Sequence, residues 1–128
     1  MTARVEHWKA KPEAHDYPAA ADYLELLLTA RQIKRVVAAL KKAPTVHKKA
    51  KDLSRASRLP LLPMDNVHVA EDLKKVRNGE LLSPVLLVRG ILERDVPITV
   101  ADGYHRVCAS YHIDENADIP CRIADLPK

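Results

Sequence analysis

The stretch PITVADGYHRVCASYH, residues 97–112, decides the fold. It opens as an apolar run of the strand type, breaks at Asp102-Gly103, and continues with apolar residues at helical steps. A strand that feeds straight into a helix places a particular electrostatic object at the junction. The first helical turn leaves backbone N–H groups without intrahelical partners, and these carry the positive end of the helix dipole. Gly103 lacks the Cβ that would hold an anion at a distance, and glycine accepts the backbone angles of a sharp turn. His105 and Arg106 add one titratable and one permanent cation, and the guanidinium fork matches two phosphate oxygens. Cations at a helix N-terminus oppose the dipole by about 0.3–1 kcal/mol each when charged. An anion seated between them would offset that cost. The residues leave a second account open: Asp102 as a plain N-cap, Arg106 paired with a carboxylate such as Glu71 or Asp72, and His105 as a half-buried hydrogen-bonder.

Outward from this junction, SPVLLVRGILERDVPITVAD predicts two apolar strands, about Val85 to Leu92 and Pro97 to Ala101, joined by the charged turn ERD. A helix is expected from Tyr104 to Ile113, then a polar loop and a last strand around Cys121 to Ile123. Upstream, Asp65 or Asn66 can cap a helix carrying Val69, Leu73 and Val76, which Asn78-Gly79 would stop. Leu59 to Pro63 reads as a short apolar strand between prolines.

In the first half of the chain, Tyr23, Leu26, Leu27, Ala30, Ile33, Val37 and Leu40 recur at three- and four-residue steps. They predict one amphipathic helix from about Ala19 to Lys42, ended by Pro44. Thr45 would cap a second helix with Val46, Ala50, Leu53 and Ser57 on one face, completing a helical hairpin. Residues 1–18 read as an irregular arm anchored by Trp8.

Between Lys41 and Arg58, in this hairpin, Lys41, Lys42, Lys48, Lys49, Lys51, Arg55 and Arg58 stand against Asp52 alone, while the whole chain carries only +4. The asymmetry points to nucleic acid or an acidic protein as a partner, although a lysine face in water is the simpler account and a helix-turn-helix usually has glycine where Pro44 stands. No run approaches a membrane span, and the N-terminus has charges throughout with no apolar core of a signal peptide, so a cytoplasmic protein is expected. Cys108 and Cys121 have neither CxxC spacing nor a framework of pairs and are expected as buried free thiols, with no metal site.

The stretch from about Leu59 to Ile123 resembles the ParB/sulfiredoxin superfamily, which includes the ParB N-terminal domain and its "ParB-like nuclease" relatives. The likeness rests on the helix before LLSPVLLV, the strand pair, and DGYHRVCA followed by IPCRI. Gly103, Arg106 and Ala109 match the Gly-Glu-Arg-Arg-x-x-Ala box of ParB. Gly103, His105 and Arg106 match the Gly-Cys-His-Arg of sulfiredoxin, and the Asp-Gly-His-His-Arg of other relatives is closer still. The resemblance implies an α+β fold over residues 59–128, a small mixed sheet with flanking helices, here preceded by the arm and helical hairpin of residues 1–58. It also implies a nucleotide held through its phosphates at Asp102, Gly103, Tyr104, His105 and Arg106, with Ser83 before Pro84 as a further phosphate contact. A nucleoside triphosphate or diphosphate with magnesium is the implied ligand, with Asp102 capping the helix or holding the ion.

The departures from the family matter as much. Tyr104 stands where sulfiredoxin has its reactive cysteine, and a phenol cannot replace that thiolate. ParB's downstream DNA-binding and dimerisation regions are expected to be absent, and no carboxylate cluster supports nuclease chemistry. Phosphotransfer and nucleotide hydrolysis stay open. The expectation is a phosphorylated-ligand binder whose hairpin serves as a partner or homodimer surface. The alternatives are a nucleic-acid-associated accessory protein and an interaction module with a vestigial pocket.

Overall fold

The computed structural model describes residues 7–127; residues 1–6 of the expected arm and Lys128 lie outside them. The described chain is mixed α+β. Its helices are α1 (Asp16–Leu24), α2 (Ala30–Lys42), α3 (Ala50–Ser57), α4 (Val67–Arg77) and α5 (Tyr104–Ile113). Its strands are β1 (Val46–Lys49), β2 (Val85–Val88), β3 (Thr99–Asp102) and β4 (Asp118–Ala124), in the spatial order β1-β4-β2-β3. β4 runs parallel to β2 and antiparallel to β1, and β2 runs antiparallel to β3.

The sheet is covered on both faces, which explains why VLLV of β2 is an unbroken apolar run and not an alternating one. Val85 and Leu87 face a core shared with Trp8, Leu53 and Val107. Leu86 and Val88 face a second core built with Leu24, Ile33, Val36 and Leu40. α1 and α2 therefore lie on one side of the sheet, and α3 and α5 on the other. α4 packs against the outer flank of α5 through Val69, Leu73, Cys108 and Ala109.

The expected helical hairpin does not form. Its long first helix is two helices, because Thr29 and Gln32 make a capping box that starts a new helix at Ala30. Leu26, at 81% exposure, and Leu27 are thereby left in the connection instead of on a buried stripe. Val36 takes the buried place expected for Val37. The second predicted helix begins four residues late. Val46 to Lys49 pair with Cys121 to Asp118 as an edge strand, so Lys48 and Lys49 lie along a sheet edge and not on a helix. Four residues that alternate on the sheet surface carry little helical signal, and the pairing that fixes them comes from the far end of the chain.

The segment Leu59–Pro63 is not a strand: Pro60 and Pro63 remove donors a ladder would need. It is a strap instead, held where His112 Nε2 donates to the Leu62 carbonyl at 2.7 Å. From His7 the arm is tied to the segment before β2. Lys9 N–H donates to the Leu82 carbonyl and Leu82 N–H to the His7 carbonyl, both at 2.7 Å. These bonds seat Trp8 in the core at 7% exposure. Cys108 and Cys121 are buried free thiols, as expected, and burial pushes the Cys121 thiol up to about 11, with Lys48 opposing.

Because Trp8 fills the end of the core next to Leu82, Trp8→Ala should cost about 3–5 kcal/mol of stability. Urea unfolding would measure this. A loss well under 1 kcal/mol would mean that the arm only rests on the surface.

Candidate functional site

The site is assembled where two helices begin side by side. Asn66 caps α4, its side-chain oxygen accepting from His68 N–H at 3.0 Å and Val69 N–H at 3.2 Å. α5 begins differently. Its N-cap is Gly103, at φ 109°, and no side chain caps its first turn. The strand before it is also irregular: Leu86 pairs with Asp102 but Leu87 with Val100, so Ala101 is one residue more than β2 can match. Such a bulge bends the strand and re-aims the residues after it. Here it delivers Asp102 and Gly103 to the rim of the sheet.

Between the two helices lies an open hollow of about 220 Å³. Asp102, Gly103, His105 and Arg106 line it from the α5 side, and His68, Glu71 and Asp72 from α4. The structure thus brings together four of the six residues expected at a phosphate site. The other two lie elsewhere. Ser83 is buried and committed to the opposite side: its hydroxyl donates to Asp16 Oδ2 and accepts from Glu13 N–H at 3.2 Å. Tyr104 turns into the protein between two apolar clusters. Its buried hydroxyl has no partner of ordinary hydrogen-bond geometry and sits by the Cys108 thiol. Burial first, and that thiol second, push the phenol up to about 12.

Asp102 does not cap α5. Its carboxylate accepts from Arg106 Nη2 at 2.8 Å, one helical turn ahead, and Nη2 also reaches the Pro84 carbonyl at 3.3 Å. This settles Arg106's carboxylate partner as Asp102 in place of Glu71 or Asp72. The guanidinium lies flat across Gly103: a Cβ there would meet Arg106 Nη2 at 2.7 Å and Val85 Cγ2 at 3.0 Å. The glycine is thus required by the protein's own arginine as well as by its backbone angle. Arg106 Nε is buried without a partner.

The His105 ring meets that of His68 at a tilt of 55°, with centroids 4.7 Å apart. Burial, reinforced by His68 and Arg106 and opposed by Asp72, lowers its pKa below the ordinary imidazole value. Burial raises the Asp72 carboxyl, against the pull of Lys75, Arg106 and His105. The hollow holds three carboxylates, one guanidinium already paired, and two imidazoles, of which His105 is inclined by burial toward its neutral form. Among the described residues no group of three or more His, Cys, Asp or Glu is arranged to hold a metal ion. His68 was not singled out from sequence, although His68, Glu71 and Asp72 at i, i+3 and i+4 form one polar stripe of α4, next to the apolar stripe that was read.

The seven cations expected at a nucleic-acid surface are spread out. Lys41 and Lys42 end α2, Lys48 and Lys49 sit on β1, and Lys51, Arg55 and Arg58 belong to α3 or its C-cap. Arg55 is 3.7 Å from Asp52, and Arg58 pairs with Asp95 at 2.6 Å.

Compared with family models, curated proteins and solved structures, the chain matches none. Among the described residues, no helix is long and apolar enough to cross a membrane.

Two outcomes follow from this geometry. Gly103→Ala must move Arg106 and strain a positive-φ position, so it should cost about 1–3 kcal/mol in thermal or urea unfolding; a neutral substitution would show that the junction relaxes freely. The second concerns acid. His105 is depressed in the fold, so the unfolded chain takes up the proton first. Its contribution to stability is complete above about pH 6.5 and is lost as pH falls from there through the folded value. Asp72, raised in the fold, acts in the opposite sense as pH rises from the ordinary carboxylate value. In stepped-pH unfolding, His105→Gln should flatten the loss of stability just below pH about 6.5; an unchanged slope would assign that loss to another group.

Proposed function

We propose that this protein binds the phosphate groups of a nucleotide or another phosphorylated ligand at the mouth of α5, and that it is a small representative of the ParB/sulfiredoxin superfamily. The observation that carries the reading is the uncapped first turn of α5. No side chain caps its amides, Gly103 at the N-cap lines the hollow, and the Arg106 side chain stands beside it. Unpaired amides with a nearby guanidinium are what an anion needs. The succession of α4, β2, β3, α5 and β4 supports the family reading, being the order of elements that the resemblance implies. Two free buried thiols suit a reducing compartment such as the cytoplasm.

The carboxylates refine the proposal. A bare phosphate entering beside Asp102, Asp72 and Glu71 would be repelled by more charge than Arg106 supplies. A divalent cation travelling with the phosphates removes the conflict. Magnesium is commonly held by one or two carboxylates together with substrate phosphates and water, so it needs no complete cage from the protein. Asp72 and Asp102 are the residues that would meet it, and the ion would supply charge neutralisation. The hollow is smaller than the roughly 300–1,000 Å³ that encloses a whole drug-sized ligand. It suits phosphate groups, with the rest of the ligand outside.

An arriving phosphate would favour the charged form of His105, so binding should take up a proton and tighten as pH falls toward about 6. Calorimetry against inorganic phosphate and the common ribonucleoside di- and triphosphates, with and without magnesium, tests this. The expected result is magnesium-dependent binding of a di- or triphosphate, proton uptake seen across buffers of different ionisation heat, and at least a tenfold loss in Arg106→Ala. If no phosphorylated ligand binds, or binding survives Arg106→Ala and His105→Gln unchanged, the proposal fails and an interaction module with a vestigial pocket is the better account.

A further inference from the structure

From Leu26 to Lys51 the chain contains no acidic residue and eight lysines and arginines. Most of that stretch is α2 and β1. α2 buries Ile33, Val36 and Leu40, and its opposite side carries Arg31, Lys34, Arg35 and Lys42, all exposed, with Lys41 at the margin. At 1.5 Å per residue the stripe runs about 16 Å. Exposed Ala38 and Ala39 interrupt it, so nothing bulky stands between its two halves. Lys48 and Lys49 continue the charge along the sheet edge.

This placement is not what helix stability would select. Lys41 and Lys42, in the last turn, complement the dipole, but Arg31, at the start of α2, opposes it. Arg31 stands at i,i+3 and i,i+4 to Lys34 and Arg35, positions where like charges repel. A face that merely solvates the fold would mix signs. Instead, among the described residues, Arg31, Lys34, Arg35, Lys42, Lys48 and Lys49 make no ion pair. Lys41 lies over the Tyr17 ring at 5.4 Å and has no carboxylate partner either.

The sheet separates this face from the hollow, since α2 packs in the core built on Leu86 and Val88 while α5 packs in the other. The two surfaces are therefore distinct and can be tested separately.

We infer that the outer face of α2, extended by β1, binds the sugar–phosphate backbone of a nucleic-acid duplex without reading its sequence. The stripe presents unpaired cations in a straight row, the arrangement that displaces counterions from a regular line of phosphates. α2 carries no aromatic side chain on which an unpaired base could stack, and on β1 only the exposed His47 imidazole could serve, so a single strand gains little there beyond charge. It also lacks the asparagine or glutamine that would hydrogen-bond adenine edges, Gln32 being taken up by the capping box.

Fluorescence anisotropy of the whole protein with labelled duplex DNA and duplex RNA tests the inference, the two arms telling which backbone is preferred. The logarithm of the binding constant should fall against the logarithm of salt concentration with a slope of about −3 to −5, near 0.9 per neutralised phosphate. Arg31→Ala with Arg35→Ala keeps the helix, alanine being its best former. The double variant should weaken binding at least tenfold at low salt and flatten the slope by about 2. Lys74→Ala with Lys75→Ala, which removes as much charge from α4, should change little. No duplex binding, equal losses in the two double variants, stronger binding to single strands, or displacement by polyglutamate at matched charge would each overturn the inference. Circular dichroism of every variant confirms that a loss belongs to the surface and not to the fold.

Discussion

The structure depends on β4 lying between β1 and β2. Its seven residues accept a parallel neighbour on one side and an antiparallel one on the other, and Ile119 and Cys121 are wholly buried. Without β4, β1 would be an isolated lysine-rich tetrapeptide and β2 would lack a partner on one side. With it, the first and second halves of the chain share one sheet. Arg122, in the same strand, extends this role: its guanidinium donates to the Leu40 and Lys41 carbonyls at 3.4 and 3.0 Å and to Tyr17 Oη at 3.3 Å. α2 thus has its last carbonyls met by a cation, which compensates the missing glycine cap at its end.

At the other end of the sheet, one pairing rules the candidate site. The Arg106–Asp102 contact spans a single helical turn, with both side chains largely buried at 17% and 15% exposure. It determines which charge remains available to a ligand. Arg106 is a fixed, already paired group rather than a free cation, its Nε buried, while the Asp102 carboxylate is spent on that side chain instead of capping the backbone of α5. The N–H groups of that turn are left open as a result. Their openness and the packing of Arg106 over Gly103 are two effects of the same contact.

Much of the second half was legible because its signals are local. Asn66 before an apolar stripe, Asn78-Gly79 after it, a strand running into Asp102-Gly103, and helical spacing through Ile113 each announce an element with residues only a few positions apart. The first half misled for the same reason turned around. Its apolar periodicity continues through a break that only the Thr29 and Gln32 side chains mark, and β1 exists because of partners near the end of the chain. In the candidate site, sequence named the α5 side and two carboxylates of α4. It missed His68, whose approach to His105 depends on how α4 packs against α5. It also placed Ser83 with the phosphates, where tertiary packing gave that hydroxyl to buried Asp16.

The pairing of Val46–Lys49 with Asp118–Cys121 carries a kinetic consequence. Strands so distant in the chain meet only after a large loop has closed, and the entropy of that closure precedes any gain from the contact. The hairpin of β2 and β3 and the packing of α5 on α4 need no such wait. Assembly should therefore start from the segment holding the hollow, with β1 and the cationic helix beside it joining late, so that the order in which the two surfaces mature is written into the strand order.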